Sequence, residues 1–214
     1  MHSLVRKVVG KIYYRTIRDY LPRKIGILNG YPARQRRLFD INDVLPDYEE
    51  ELIRAIREVV KSGDKVVVFG GGFGISSVTA AKEAGKEGSV IVYEPNPERY
   101  KIVQETLDIN NVHADLTQAF VGEPIDLSPS SGAEFIEPSQ LPECDVLVMD
   151  CEGSEVDIIS QLDFHPSKMI VETHGCFQKP TEETINALES EGYTIETVEE
   201  DQPELGIDIV TAKY

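Results

Sequence analysis

Short apolar runs alternate with amphipathic stretches from residue 47 to the C-terminus. The runs predict strands at residues 65–69, 89–93, 114–121, 145–149, 168–172, 193–198 and 207–212. Apolar residues spaced three or four apart predict helices at 47–61, 75–84, 97–110, 154–162 and 181–191. This alternation is typical of an α/β fold with a doubly wound, mostly parallel sheet of about seven strands. The last two strands predict an antiparallel edge pair, and the polar segment before the fourth strand is expected to hold a short hairpin around 134–136.

The first 46 residues are predicted to be an extension with its own character. Apolar residues three or four apart over residues 1–21, with Arg and Lys on the other faces, indicate a basic amphipathic helix that ends before Pro22. We expect its apolar stripe to pack on the domain or on a second copy in a homodimer. The alternative is peripheral contact with an anionic membrane surface. Residues 22–46 are expected to be an ordered loop, so the predicted boundaries are 1–46 for the extension and 47–214 for the α/β domain.

Charge is distributed unevenly along the 214 residues, whose formal net charge is −17. Residues 1–40 hold ten Lys or Arg and two Asp or Glu, whereas the rest of the chain holds eleven and thirty-six. An acidic body repels nucleic acid, so we expect no nucleic-acid partner. The same balance is typical of a halophilic protein, and equally of an ordinary acidic soluble one. The chain shows no signal peptide and no bilayer-spanning apolar run, and its three cysteines have no paired spacing, which favours the cytoplasm.

Four glycines follow the first buried strand in the sequence "VVVFGGGFGISS". At the carboxyl end of a parallel strand, glycine lets the backbone turn tightly and approach a ligand. The dinucleotide pattern G-x-G-x-x-G fails, because its third position holds another residue in either register, and no Walker A loop is present. The G-x-G-x-G spacing is instead that of methyltransferases that use S-adenosylmethionine (SAM). The residues expected to contact this cofactor are Gly70, Gly72, Phe73 and Gly74.

The second buried strand ends in "VIVYEPNPERY", which places Glu94 24 residues after Gly70. A carboxylate at this strand end can accept hydrogen bonds from both ribose hydroxyls of a nucleoside. Pro95 and Pro97 restrict the backbone that follows, which favours a shaped site. We therefore add Glu94 and Pro95 to the expected cofactor contacts. A ribose is common to NAD and SAM, so these residues do not choose between them.

Ionisable residues accumulate where the next two strands are predicted to end. The sequence "VLVMDCEGSEVDII" places Asp150 and Glu152 there, and "IVETHG" adds Glu172 and His174. Because the carboxyl ends of parallel strands lie at one edge of the sheet, we expect these groups to face the same crevice. We interpret Glu155 as an acid in the first turn of a helix, where it suits the helix dipole.

These stretches resemble the FkbM family of SAM-dependent methyltransferases. The matching segments are "VVVFGGGFG", "VIVYEPNPERYKIVQETLDINNV", "VLVMDCEGSEVDIIS" and "MIVETHG", which fall between residues 64 and 176. The resemblance implies a class I methyltransferase fold, SAM as cofactor with Asp150 facing it, and methyl transfer to a hydroxyl of a saccharide, glycolipid or secondary metabolite. One position departs from the pattern, because Val68 stands where this fold usually carries an acid that helps to fix the amino end of the cofactor.

Methyl transfer to a hydroxyl calls for a base that removes the hydroxyl proton. His174 is the first candidate, because imidazole titrates near neutrality, and Glu152 and Asp150 are the other two. We expect no metal ion, since no tight ligand spacing demands one. The alternative is a divalent ion held by Asp150, Glu152 and His174.

Two further questions stay open at the level of the sequence. A basic segment with Arg34, Arg36 and Arg37 either covers the site and binds an anionic acceptor or forms a solvated loop. The function itself has two alternatives, an NAD-type oxidoreductase and a non-catalytic binding protein on a methyltransferase scaffold. The failed third glycine disfavours the first of these, and Val68 keeps the second open.

Overall fold

The computed structural model describes residues 17–122, 132–151, 153–175 and 180–214. The strands are β1 Arg23–Leu28, β2 Tyr31–Arg37, β3 Val44–Leu45, β4 Lys65–Phe69, β5 Ser89–Tyr93, β6 Asp115–Thr117, β7 Ala119–Val121, β8 Glu134–Ile136, β9 Val146–Met149, β10 Lys168–Glu172, β11 Thr194–Gln202 and β12 Ile207–Lys213. The helices are α1 Glu50–Val59, α2 Ile75–Ala84, α3 Pro97–Ile109, α4 Glu155–Ile159 and α5 Thr181–Ser190. Short 3-10 turns span Arg18–Tyr20 and Pro138–Gln140.

Seven strands form the main sheet in the order β11-β12-β10-β9-β4-β5-β6. Strands β10, β9, β4, β5 and β6 run parallel to their neighbours in that order. Strand β12 inserts antiparallel between β10 and β11. The α/β fold class, the seven-stranded, mostly parallel sheet and the antiparallel C-terminal pair are therefore confirmed.

The central strand β4 shows why continuous apolar runs form this sheet. Successive side chains of a strand point to opposite faces, so a strand covered on both sides is apolar at every position. Val66 and Val68 pack in the core on the side of α1, α2 and α3, together with Ile53 and Ile56. Val67 packs in the other core, beneath α4 and α5. Both faces of β4 are thus closed to solvent, and its ends are the places where polar chemistry can occur.

Residues 22–46 form a small sheet, so the expectation of a loop is wrong. Strands β1 and β2 pair antiparallel, and β3 adds to β1 in parallel. The turn between β1 and β2 is Asn29-Gly30, with φ of 44° and 82°, the pair that a two-residue hairpin turn favours. The hairpin attaches to α3, where the Asn110 side-chain amide donates to the Pro32 carbonyl at 2.8 Å. The expectation failed because the Asn-Gly turn favours a hairpin more strongly than the Pro and Gly residues of this segment favour a loop.

The predicted strand 114–121 divides into two short strands that belong to different sheets. Strand β6 joins β5 at the edge of the main sheet, and after Gln118 the chain continues as β7. Strand β7 pairs in parallel with β8, which begins 13 residues after β7 ends. The hairpin expected around 134–136 is therefore wrong, because this segment pairs in parallel with β7, whereas the strands of a hairpin are antiparallel.

The N-terminal helix predicted over residues 1–21 falls largely outside the described residues. Residues 18–20 form a 3-10 turn, and the Arg18 guanidinium pairs with the buried Asp40 carboxylate at 2.7 Å. Among the helices in the described part of the chain, none is long and apolar enough to cross a membrane. The division at residue 46, the homodimer and the membrane contact stay predictions.

Candidate active site

A cavity of about 450 Å³ opens at the carboxyl edge of the main sheet. Strands β5 and β6 lie on one side of β4 in the sheet, and the later strands β9 and β10 lie on its other side. The strand order therefore reverses between β4 and β9. Ligands of doubly wound folds bind at this reversal, and the volume suits a small molecule. The cavity is lined by most of the residues predicted for the site, namely Gly70, Gly72, Phe73, Glu94, Pro95, Asp150 and His174.

The glycine loop is shaped by close approach to β9 and by exposure to the cavity. Gly70 has φ of 78°, and a Cβ there would lie 2.1 Å from the Asp150 carbonyl oxygen, so glycine is required. A Cβ on Gly72 would meet only the side-chain oxygens of Glu49 and Tyr48, at 3.8 and 3.9 Å, so this residue presents bare backbone to the cavity. Gly74 instead packs against Thr106 of α3 and does not line the cavity.

Glu94 joins the second strand end to the glycine loop. One carboxylate oxygen accepts the Gly72 amide at 3.2 Å, and the other accepts the Asn96 amide at 2.8 Å. The residue is 5% exposed, and burial raises its pKa despite these two donors. A carboxylate offers about four acceptor positions, so about two remain for a ligand in the cavity.

Aromatic side chains cover the other side of the loop. The Phe73 ring lies under the Arg99 guanidinium, 4.3 Å from its centroid, and makes a tilted contact with Tyr48. Tyr48 and Arg99, which the sequence reading did not place in the site, both line the cavity. Val68 is fully buried in the core between the sheet and its helices. Val68 does not line the cavity, so position 68 offers no carboxylate to a ligand there.

His174 lies at the floor of the cavity among three carboxylates. Its Nδ1 is 3.0 Å from a Glu155 oxygen. Its Nε2 is 3.4 Å from Asp150 Oδ1 and 3.8 Å from Glu172 Oε1. The ring is 5% exposed, and Glu172 is 7% exposed. The ends of β9 and β10 thus bring Asp150, Glu172 and His174 together, as the strand pattern predicted.

The electrostatics of this cluster change the role expected of His174. Burial alone would lower the pKa of His174, but the hydrogen bonds and negative charges of Asp150 and Glu155 raise it to about 10. The imidazole therefore holds a proton at neutral pH, which argues against the predicted role as general base. Burial, with Asp150 and Glu49 nearby, raises the pKa of Glu172. Of the other two predicted bases, Asp150 lines the cavity, and Glu152 lies outside the described residues.

Glu155 lies in the first turn of helix α4, as predicted, but it is buried and belongs to the site. It is 1% exposed, and one of its oxygens accepts the backbone amides of Cys151 and Gly153 at 3.2 and 3.1 Å as well as facing His174. Burial alone would raise its pKa, but the bond with His174 and the backbone donors lower it. Glu155 therefore stays ionised and fixes the orientation of the histidine ring. Its place three residues after a predicted strand-end acid was the only signal in the sequence.

A second, strongly acidic groove continues from the cavity. The two share Tyr48, Glu49 and Glu172. Burial raises the pKa of Glu49 to about 7, although a hydrogen bond with Tyr48 opposes the shift. The carboxylates along the groove belong to Asp47, Glu49, Glu50, Glu51, Glu172, Glu200 and Asp201. No periodic pattern marked the residues before α1 as part of a site, because only folding brings them to the ends of β10 and β11.

The arginines proposed to cover the site lie elsewhere. Arg34 pairs with Glu105 of α3 at 3.2 Å, and Arg37 donates to the Leu21 carbonyl at 2.7 Å. Neither residue lines the cavity. The Arg36 side chain lies outside the described part of the chain. On the wall of the cavity the described arginine is Arg99.

Comparison with known proteins identifies the fold. No protein-family model and no curated protein matches the chain. Among solved structures, a protein of Streptococcus mutans described as a SAM-dependent methyltransferase matches with a TM-score of 0.60 and 9% identity, over 90% of this chain and 55% of that one. A SAM-dependent O-methyltransferase of Thermotoga maritima matches with 0.54 and 17%, over 78% of this chain and 65% of that one. M. jannaschii TYW2 in complex with AdoMet matches with 0.55 and 15%, over 90% and 85%.

The chain therefore has the class I methyltransferase fold that the resemblance implied. It spans little more than half the length of the Streptococcus mutans protein and about two thirds of the Thermotoga maritima protein. At these identities the comparison concerns the fold, and the function has to be argued from the site.

Proposed function

We propose that this protein is a SAM-dependent methyltransferase of the FkbM type that methylates a hydroxyl of a small-molecule or glycan acceptor. The observation that carries the proposal is the bond between the Gly72 amide and Glu94, on the wall of a cavity of about 450 Å³ at the strand reversal. It joins the loop that would approach the sulfonium to the carboxylate that would bind the ribose. The methyltransferase fold supports the same cofactor.

The protein contributes to methyl transfer mainly by aligning the cofactor and the acceptor, and less by supplying reactive groups of its own. The acceptor oxygen forms a bond to the methyl carbon, the carbon–sulfur bond breaks, and its electron pair stays on sulfur as the neutral thioether. The hydroxyl proton passes to a base, and we assign this role to Asp150, which lies on the cavity wall and is about one quarter exposed. The cavity contributes by holding the two reactants in line and excluding water.

The surroundings favour an acceptor rich in hydroxyl groups. Carboxylates along the groove next to the cavity can accept hydrogen bonds from sugar hydroxyls, and they repel phosphates. This disfavours both nucleic acid and the anionic acceptor that the arginines suggested. A saccharide or a glycolipid headgroup is therefore the acceptor class that we propose.

A thermal-shift experiment tests the cofactor assignment directly. At 100 times its Kd a ligand adds about 2.7 kcal/mol, which raises the Tm of a chain of this size by roughly 5–10 °C. We expect this shift with SAM and with S-adenosylhomocysteine, and none with NAD. A shift with NAD alone would favour the oxidoreductase instead.

Transfer of a radiolabelled methyl group tests catalysis. SAM carrying a labelled methyl group, incubated with the protein and a glycan-rich cell extract, should label a saccharide or glycolipid fraction. The Asp150→Asn variant should bind SAM but transfer the label at least about 100-fold more slowly. Cofactor binding without any transfer would support the non-catalytic binding protein.

A further inference from the structure

Two strand ends bring three possible metal ligands together at the floor of the cavity. Asp150, Glu172 and His174 each offer one ligand atom, and these three atoms all lie within 4.8 Å of one another. Donor atoms around an ion with bonds of about 2.1 Å lie roughly 3–4 Å apart. The separations from Nε2, 3.4 Å to Asp150 and 3.8 Å to Glu172, fit that range. We propose that Asp150, Glu172 and His174 bind one divalent transition-metal ion, of the Mn²⁺ or Zn²⁺ class.

The hydrogen bond on the far side of the histidine ring orients it for this role. Nδ1 lies 3.0 Å from Glu155, so a neutral imidazole donates Nδ1–H there and turns the Nε2 lone pair toward Asp150 and Glu172. Glu155 is itself held by two backbone amides. A carboxylate that receives the second N–H of a metal-bound histidine is a recurrent feature of metal sites, because it fixes the tautomer and the ring plane.

Glu172 provides an independent reason to expect a cation. The residue is 7% exposed, and its carboxylate lies within 4.8 Å of a ligand atom of Asp150, a second carboxylate. Its nearest charged partner is His174, at 3.8 Å. Placing two carboxylates so close together at a mostly buried position is costly, and a cation between Glu172 and Asp150 would offset that cost. The side chain also lines both the cavity and the acidic groove, so an ion has a path from solvent.

The mixed ligand set selects among ions. Carboxylate oxygens alone suit Mg²⁺ and Ca²⁺, whereas an imidazole nitrogen favours Mn²⁺ or Zn²⁺. Three protein ligands leave at least one coordination position unfilled, as in catalytic zinc sites. All three ligands line the cavity, so this position faces the space where the acceptor would lie.

The role of the ion, unlike its binding, rests on the proposed function. An acceptor hydroxyl bound at the open position would lose its proton more readily, because the cation draws electron density from the oxygen. The proton would pass to the second oxygen of Asp150, which the ion does not need, and the methyl group would pass from sulfur to the acceptor oxygen. On binding, the ion would take the place of the proton that the His174 imidazole otherwise holds at Nε2.

Calorimetric titration of the metal-free full chain tests the site without SAM or acceptor. After removal of metals with EDTA and dialysis, we expect Mn²⁺ and Zn²⁺ each to bind at one ion per chain, and Mn²⁺ to give a bound-ion paramagnetic resonance signal. The Glu172→Gln variant should bind at least about 100-fold more weakly. The Glu155→Gln variant, which keeps all three ligands, should bind about 10–100-fold more weakly. The control is Glu200→Gln, an exposed carboxylate of the neighbouring groove, which should bind as the parent does.

The proposal is overturned if the parent protein binds neither ion more tightly than about 1 mM, or if Glu172→Gln and Glu200→Gln bind alike. The second result would mean that ions collect on the acidic surface. SAM affinity, measured on the same samples, reports folding of each variant and tests the proposed function separately. Loss of SAM binding with intact metal binding would reject the function and keep the site, and the converse would reject the site alone.

Discussion

The bond between Glu94 and the glycine loop leads to a quantitative prediction about cofactor affinity. Two of the roughly four acceptor positions of this carboxylate are taken by the Gly72 and Asn96 amides. Glu94 lines the cavity, and we expect the acceptor positions left on its carboxylate to accept both ribose hydroxyls of SAM. Replacing Glu94 with Ala removes both contacts, whereas Glu94→Gln keeps one oxygen acceptor and removes the charge.

A hydrogen bond to a charged group is worth about 1.5–3 kcal/mol, so the loss of two costs at least about 3 kcal/mol. Since about 1.4 kcal/mol is a factor of ten, the Kd for SAM should rise at least about 100-fold in Glu94→Ala. In Glu94→Gln the Kd for SAM should rise about 10-fold, which lies between the parent protein and Glu94→Ala. Isothermal titration calorimetry with SAM and with S-adenosylhomocysteine measures both values.

A matched control separates the site from a general effect of charge. Glu98 lies four residues further on, and its side chain is 78% exposed and pairs with Arg23 at the surface. Glu98→Gln should leave the Kd for SAM unchanged within about twofold, because surface ion pairs contribute little. If Glu94→Ala remains folded and binds SAM as tightly as Glu98→Gln does, the assignment of the ribose contact is refuted.

Three further predictions concern stability and reactivity. Gly70→Ala should lower the free energy of unfolding, measured by urea titration, by at least about 2 kcal/mol more than Gly30→Ala does. Both residues have positive φ, but only a Cβ at position 70 would clash with a backbone oxygen, that of Asp150. Equal losses in the two variants would contradict the clash. Burial raises the pKa of Cys144 to about 12, so iodoacetamide at pH 8 should alkylate it roughly 1000-fold more slowly in the folded protein than in urea, as peptide mass spectrometry can measure. The folded pKa of Glu49, about 7, lies above the ordinary 4.5, so the folded state holds an extra proton between these values, and the free energy of unfolding should fall as pH rises from 5 to 7. Glu49→Gln should reduce that slope, to which the raised pKa of Glu172 also contributes, and an unchanged slope would show that the Glu49 carboxyl does not titrate there.

The elements that the sequence predicts best are those whose environment is uniform along their length. Strands β4, β5 and β10 and helix α2 have the predicted bounds, because a strand buried on both faces is apolar throughout and a glycine ends the helix. Elements with mixed surroundings were predicted less well. Strand β7 and its partner β8 bury only part of their side chains, so their composition does not distinguish a parallel pair from a hairpin.

Some residues of the site could be predicted from their local sequence, whereas others depend on contacts with residues far along the chain. Gly70, Gly72 and Glu94 could be named from the sequence, because each follows a buried strand directly and parallel strand ends share an edge. Glu155 and Glu49 could not be assigned, since their roles depend on burial and on neighbours far along the chain. The role of His174 changed for the same reason: an isolated imidazole titrates near neutrality, but one surrounded by buried carboxylates keeps its proton.

The order of apolar and polar residues was by itself enough to determine the α/β class, the seven strands and the edge at which chemistry occurs. Those features depend on the period of each element and on the glycine turns, which are local properties of the chain. Only the tertiary structure decided which carboxylates surround His174, that the last strand inserts beside β10, and that Arg34 of β2 pairs with Glu105 of α3. Charge, burial and hydrogen bonding depend on residues that lie within a few ångströms in space but far apart in the sequence. The spacing of residues along the chain does not give those spatial distances.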